Sequence, residues 1–268
     1  MPCGIITLLT DFGLGDPFVG CMKGVILGRF PRAQIIDLTH GVPPQAVAEA
    51  AFWLERSQGA FPTGSVHVAV VDPGVGSERR ILALEARGQL FLAPDNGLLG
   101  ERLTSSPGAR AVAVDTSRLS ALALPPPSAT FHGRDIFAPV AAALASGALT
   151  LDALGDPVTP HPCVLAPPVA DAEFIRGQVV TVDRFGNLIT NIDGAHVDTE
   201  RPRYVLLAER PVPLARTYAD APAGELVALV NAFDALEIAR RDGNAETHLG
   251  LGRGTPVRVP RRGHVTRA

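Results

Sequence analysis

The stretch VHVAVVDPGVGSERR, residues 66–80, decides the fold. Its first six residues form an almost unbroken apolar run, which suits a β-strand covered on both faces. The run stops at Asp72, and Pro73, Gly74 and Gly76 then force a tight loop in which backbone approaches a ligand closely. Working outward, residues 4–9 read as a buried strand and 34–38 as a second strand, and residues 18–30 and 47–56 carry helical spacing, with Asp16 expected to cap the first helix and Pro17 to open it. Residues 81–85 and 90–93 add two strands, and residues 134–145 a later helix. Strands alternating with helices predict an α/β domain with a mostly parallel central sheet.

A change of composition follows. DPVTPHPCVLAPPVAD, residues 156–171, is rich in proline, lacks periodicity and reads as a semi-rigid linker. Beyond it come short β runs at residues 179–182, 188–192, 204–207, 227–230 and 257–259, separated by glycine and proline. The expected organisation is an N-terminal α/β domain over residues 1–160, a linker over 161–172 and a small C-terminal all-β, barrel-like domain over 173–268.

Composition narrows the function. With 268 residues, 46% hydrophobic and 19% charged, the chain has enough apolar material for a sizeable core. A net charge of -3 argues against nucleic acid as main partner, since phosphate binding needs a concentrated positive field. The basic tail, residues 258–267, is the local exception and reads as a solvated run. Cys3, Cys21 and Cys163 show no CxxC spacing and fit a reducing compartment. No apolar run is long enough to cross a bilayer, and the N-terminus lacks the basic start of a signal peptide. The expectation is a soluble cytoplasmic protein.

Polar clusters stand where strands end, the usual ligand position in open α/β sheets. In TDFG, residues 10–13, Asp11 suits a sugar diol or a metal, or merely caps a turn. Asp72 is expected to pair with Arg79 across the glycine loop, which keeps the carboxylate ionised; a surface salt bridge on a turn is the plainer reading. In APDNGLLG, residues 93–100, Asp95 and Asn96 read either as ligand contacts or as an Asn-Gly turn before a short helix. In FHGRDIF, residues 131–137, His132 is the side chain suited to moving protons near neutrality, or is structural. In DRFGNLITNI, residues 183–192, Asp183, Phe185 and Asn187 gather at a hairpin, where Phe185 could stack on a flat ring.

These motifs, in this order, resemble the S-adenosyl-L-methionine hydrolase (adenosine-forming) family, the S-adenosylmethionine hydroxide adenosyltransferases, whose halide-using relatives are the fluorinase and chlorinase enzymes. The resemblance spans nearly the whole chain. It implies a homotrimer with an active site between the large domain of one subunit and the small domain of its neighbour, no metal and no cofactor. It assigns Asp72, Arg79 and His132 to hydrolysis and Asp11, beside Phe12, to the ribose hydroxyls. It assigns Asp183, Phe185 and Asn187 to the methionine end and the pocket wall. Asp95, Asn96 and Gly133 are taken as further substrate contacts. The segment from Asn231 through Phe233 to Asn244 and Ala245 is taken to bind adenine. Three departures from the halogenases favour water over halide: Gly133 replaces a serine, Asp72 replaces an aromatic residue, and residues 86–90 lack a long insertion. Ala232 stands where the family usually has serine. The competing readings are a metal-dependent phosphoesterase using Asp11, Asp72, Asp95, Asn96 and His132, a non-catalytic adenosine-binding module, and a halide-using enzyme.

Overall fold

The computed structural model describes residues 2–197 and 204–261, so most of the basic tail lies outside the described residues. The chain divides into two units, Met1–Leu165 and Ala166–Ala268. The division falls inside the proline-rich stretch. Residues before it belong to the first unit: Val158 N–H donates to Ala111 at 3.0 Å and Val164 N–H to Gly97 at 3.3 Å.

The first unit is built on strands β1 (Ile5–Thr10), β2 (Gln34–Thr39), β3 (Val66–Val70), β4 (Ile81–Ala86), β5 (Gln89–Pro94) and β6 (Arg110–Ala113), in the order β2-β1-β3-β5-β4-β6. All run the same way except β4, which pairs antiparallel with both β5 and β6. The reversal is made at Arg87 and Gly88, both at positive φ (54° and 73°), as a two-residue hairpin turn requires. Side chains alternate across the sheet. Val66, Val68 and Val70 enter one core with Met22 and Ile26 of α1 (Phe18–Arg29) and the alanine-rich α4 (Ala138–Ser146). Ala69 and Val71 enter the opposite core with Ala50 and Leu54 of α2 (Val47–Ser57). Two short helices complete the unit, α3 (Glu101–Thr104) and α5 (Leu151–Leu154). At the start of α1, Pro17 is itself the cap residue and Asp16 makes no capping bond, so the helix begins one residue later than the sequence suggests.

His67, on β3, is wholly buried, with Nδ1 2.8 Å from Thr7 Oγ1 and its ring stacked 4.9 Å from Phe91. Burial lowers its pKa from 6.5 to about 4, against a smaller opposing pull from Gln89. The folded state therefore refuses a proton that the unfolded chain takes up below about 6.5. Stability from this group is present at neutral pH and is lost as pH falls toward 4. Urea unfolding at pH 7 and pH 5 should show the native protein losing about 2 kcal/mol more than a His67→Gln variant. Equal losses would show that His67 is not held neutral.

The second unit is an antiparallel barrel. Its strands are β7 (Val169–Ala170), β8 (Phe174–Val182), β9 (Leu188–Asp193), β10 (Tyr204–Leu207), β11 (Arg210–Pro213), β12 (Leu226–Val230), β13 (Ala235–Arg240) and β14 (Pro256–Pro260). They follow the order β11-β10-β14-β8-β9-β13-β12, with β7 on β8. An isolated parallel bridge from Leu214, just past β11, to Ala228 of β12 brings the two ends together, so the sheet is nearly closed. Val179, Leu188, Val205, Leu236 and Val257 fill the interior. The strand pattern at β11 is masked in the sequence by Pro211 and Pro213, which an edge strand tolerates.

Candidate active site

The sheet order makes β1 and β3 neighbours although β2 lies between them in sequence. This is the topological switch point, where a crevice opens beyond the strand ends. Asp11 follows β1 and Asp72 follows β3, so both carboxylates arrive there. A cavity of about 440 Å³ at this edge is lined by Asp11, Phe12, Phe18, Gln45, Asp72 and Val75, among others.

Asp72, Arg79 and His132 converge. Arg79 Nε donates to Asp72 Oδ1 at 2.7 Å, and one terminal guanidinium nitrogen donates to Asp72 Oδ2. The same nitrogen lies 2.8 Å from His132 Nδ1. The pair is nearly dry, with side-chain exposures of 4% for Asp72 and 10% for Arg79. A guanidinium has donors and no acceptor, so His132 Nδ1 must be the acceptor. The ring is then the neutral tautomer with its proton on Nε2. Burial, and next the Arg79 charge, lower the His132 pKa against the pull of Asp72 and Asp135, which favours the same neutral form.

Two local features bring His132 to Arg79 from 53 residues away. Gly76 is at φ +79°, and any Cβ there would overlap the carbonyl oxygen of Ala129, so the glycine loop lets the 128–131 segment cross it closely. Asp135 then ties that segment down. Its Oδ2 accepts from Ser128 N at 2.9 Å and Ser128 Oγ at 2.7 Å, while Oδ1 accepts from Arg134 Nε at 2.6 Å. The Arg134 bond, followed by the Ser128 bonds, pulls the Asp135 pKa down to about 2 against some burial. The residues after His132 form a π turn, Gly133–Phe137, before α4 begins. The single helix read over residues 134–145 is thus two segments, and wide turns of this kind are frequent at functional sites.

The Asp11 turn is held by residues that sequence reading missed. Thr10 Oγ1 accepts from Phe12 N at 3.2 Å and lies 2.8 Å from His40 Nδ1, whose other ring nitrogen is 3.0 Å from Asp37 Oδ1. Gln45 N–H donates to Asp11 Oδ2 at 2.8 Å from a positive φ of 64°, a conformation costly for this residue. The rule that ligands meet strand ends would have flagged His40, which follows β2 directly. Phe12, Phe18 and Phe131 form an aromatic triangle with centroid distances of 5.2–6.1 Å. Gly133 is buried against it: a Cβ there would meet Met22 Sδ at 3.2 Å and Phe131 at 3.3 Å. Its missing side chain lets the triangle close.

Asp95 and Asn96 are both hydrogen-bonded within the protein. Asp95 Oδ2 accepts from Arg80 Nε at 2.7 Å, and Oδ1 accepts from His161 N at 2.7 Å. Asn96 Nδ2 donates to Val71 O at 2.9 Å, and its Oδ1 accepts from Leu98 N at 3.2 Å.

In the second unit, Asp183, Phe185 and Asn187 occupy the β8–β9 turn. Asp183 Oδ1 accepts from the N–H groups of Phe185 and Asn187, both at 2.9 Å, and Oδ2 accepts from Asn187 Nδ2 at 3.0 Å. This leaves Phe185 75% exposed. Phe185 and Asn187 line a second cavity of about 550 Å³, together with Tyr218, Arg240 and Asp242. Tyr218 was not foreseen. Its hydroxyl donates to Glu237 Oε1 at 2.6 Å, and Asn231 Nδ2 donates to Glu237 Oε2 at 3.0 Å. Burial raises the Glu237 pKa, with Tyr218 and Asn231 lowering it and Asp183 raising it further. Asn231 also caps its own turn by accepting from Phe233 N at 2.9 Å, and the Phe233 ring is partly exposed. Asn244 caps α6 (Ala245–Leu249) by accepting from Thr247 N at 2.7 Å. The Ala245 side chain lies in the barrel core, which leaves only its backbone for a ligand.

An α/β domain with its charged cluster at the switch point, followed by a nearly closed barrel carrying a second ligand-sized cavity, defines a two-domain architecture with a candidate ligand site in each domain. The chain belongs to the SAM hydroxide adenosyltransferase family: residues 6–155 match that family's N-terminal domain and residues 177–258 its C-terminal domain. It is 41% identical over 258 residues to an (R)-S-adenosyl-L-methionine hydrolase of Thermus thermophilus, covering 95% of this chain and 98% of that protein. A hydrolase of the same name from Salinispora arenicola is 42% identical over 257 residues, with 95% and 97% covered. A fluorinase of an Actinoplanes species is more distant, 28% identical with 88% and 90% covered. Among solved structures, a conserved protein from Thermotoga maritima superposes with a TM-score of 0.87 at 35% identity, covering 96% of this chain and all of that one.

Proposed function

We propose that this protein hydrolyses S-adenosyl-L-methionine to adenosine and L-methionine. The observation that carries the reading is the convergence of Asp72, Arg79 and His132 beside Asp11 at the switch point, in a member of this family. Water attacks ribose C5′ in line with the C5′–S bond. The C–O bond forms, the C–S bond breaks with its electron pair going to sulfur, and one proton leaves the attacking water. The sulfonium is already a good leaving group, so the protein's main task is placement. Asp72 is the member of the trio that lines the cavity. Each of its oxygens accepts from Arg79, and each keeps a second lone-pair site for a water proton. Arg79 and the neutral His132 fix that carboxylate in place and in charge.

The ribose is held by Asp11, and the base and methionine end by Phe185, Asn187, Asp183, Phe233 and the Asn231–Asn244 region of a neighbouring subunit in a homotrimer. Exposed Phe185 and Phe233 on one unit, and exposed Leu14 and Phe18 on the other, suit such burial. The reaction takes place in the cytoplasm, without cofactor or metal; the three cysteines are free and no helix among the described residues is long and apolar enough to cross a membrane. A metal-dependent phosphoesterase needs a cation cage, and no group of three or more suitable ligands gathers among the described residues.

The test is incubation with S-adenosylmethionine in ¹⁸O-water, with and without chelator, read by mass spectrometry. Adenosine labelled at its 5′ oxygen in both samples is expected. Loss of activity with chelator would favour the phosphoesterase class, and binding without turnover would favour a mere binding module. A 5′-halogenated product would favour halide.

A further inference from the structure

We infer that Asp95 and Asn96 are positioning residues that hold both ends of the loop carrying Asp72 and Arg79. The loop of residues 72–79 runs from Val71, just past the end of β3, to Arg80, just before the start of β4. Asn96 Nδ2 grips the first end by donating to Val71 O at 2.9 Å, one residue before Asp72. Asp95 grips the second. Its backbone N–H donates to Arg80 O at 2.9 Å, and its carboxylate accepts from Arg80 Nε at 2.7 Å, one residue after Arg79. The antiparallel register of β4 and β5, with Ile81 opposite Pro94, is what sets Arg80 against Asp95.

The anchor is itself fixed. Asp95 Oδ1 accepts from His161 N at 2.7 Å, and Arg80 reaches Thr159 O at 3.1 Å. Gly97, at φ +82°, lets Pro162 and Val164 lie against the turn where a Cβ would collide with them. The Asp95 side chain has no exposed surface, which closes it to substrate, and both polar atoms of Asn96 are engaged with the protein, each in one hydrogen bond. Two adjacent side chains on one strand end therefore clamp both exits of an eight-residue loop that supplies two of three members of the proposed centre. Loops of this length without their own regular structure move readily, and a displacement near 1 Å at a reacting centre costs roughly 100-fold in rate.

The role rests on the proposed hydrolysis for its kinetic readout but not for its structural one. The variants are Asn96→Ala and the isosteric Asp95→Asn. In crystal structures of both, the Arg79–His132 contact is expected to open beyond hydrogen-bonding reach while β3 and β5 stay in place. In assays of S-adenosylmethionine turnover, kcat is expected to fall roughly 10–100-fold with KM within about threefold, as for an interaction acting only through the reacting groups. Combined with Asp72→Ala, either change is expected to add nothing further, since the residue it positions is gone. An undisturbed Arg79–His132 contact in the variant crystals overturns the inference, as does a raised KM at native kcat, which would return these residues to substrate contact. If the native protein releases no adenosine, the proposed reaction falls, and the crystal comparison still decides the positioning role.

Discussion

Asp72→Ala is expected to cut adenosine release by roughly two to four orders of magnitude, the usual worth of a positioned proton acceptor, while S-adenosylmethionine still binds. The carboxylate is the trio's only member lining the cavity, and it is the only anion bonded to the Arg79 guanidinium in the trio. Its removal takes away the carboxylate proposed to face the attacking water. It also leaves a nearly dry arginine without its counter-charge, a change that costs about 3–5 kcal/mol when the partner stays charged. Loss of activity through unfolding must therefore be separated from loss of chemistry. Substrate binding by calorimetry on protein with native circular dichroism does so: unchanged affinity with lost turnover marks an interaction made in the transition state. Arg79→Met in the Asp72→Ala background removes the orphaned charge and should recover stability without recovering turnover. Full activity in Asp72→Ala would remove Asp72 from the mechanism.

The parts legible in the sequence are those set by short-range pattern. Asp11 and Asp72 were found because each ends an apolar run abruptly, and the sheet then delivers strand ends to one edge. The barrel was readable from alternating runs broken by glycine and proline. What escaped depends on pairing between distant segments. Asp95 looked like a ligand because its partner, Arg80, is fifteen residues away and faces it only through the reversed strand β4. The reversal was foreshadowed by Arg87 and Gly88, a dipeptide short enough for a hairpin but without the usual asparagine. The Tyr218–Glu237–Asn231 network escaped because Glu237 sits within an apolar β run, and its partners come from two separate turns. The π turn after His132 escaped because an i+5 turn and an α-helix use the same kinds of residue.

Gly76→Ala is expected to disable the centre from a position outside the lining of the switch-point cavity. Two penalties fall on this change. The first is conformational: φ is +79°, which a Cβ disfavours by about 1 kcal/mol or more. The second is steric, because the added Cβ overlaps the Ala129 carbonyl oxygen, a backbone atom unable to rotate aside. Either the glycine loop or the 128–131 segment must move. The loop's far end is clamped at Arg80 and its start at Val71. The segment is tied to Asp135 through Ser128 and runs into His132 four residues on. Whichever yields, the Arg79–His132 contact is drawn apart. The expected result is a drop in kcat of roughly 100-fold or more, accompanied by a modest fall in melting temperature. Gly108→Ala separates the two penalties. Its φ of +76° carries the same backbone cost, but a Cβ there meets nothing within 4 Å. That variant should lose comparable conformational stability and keep its turnover. If Gly76→Ala loses no more activity than Gly108→Ala, the crossing of the two loops is not what places His132.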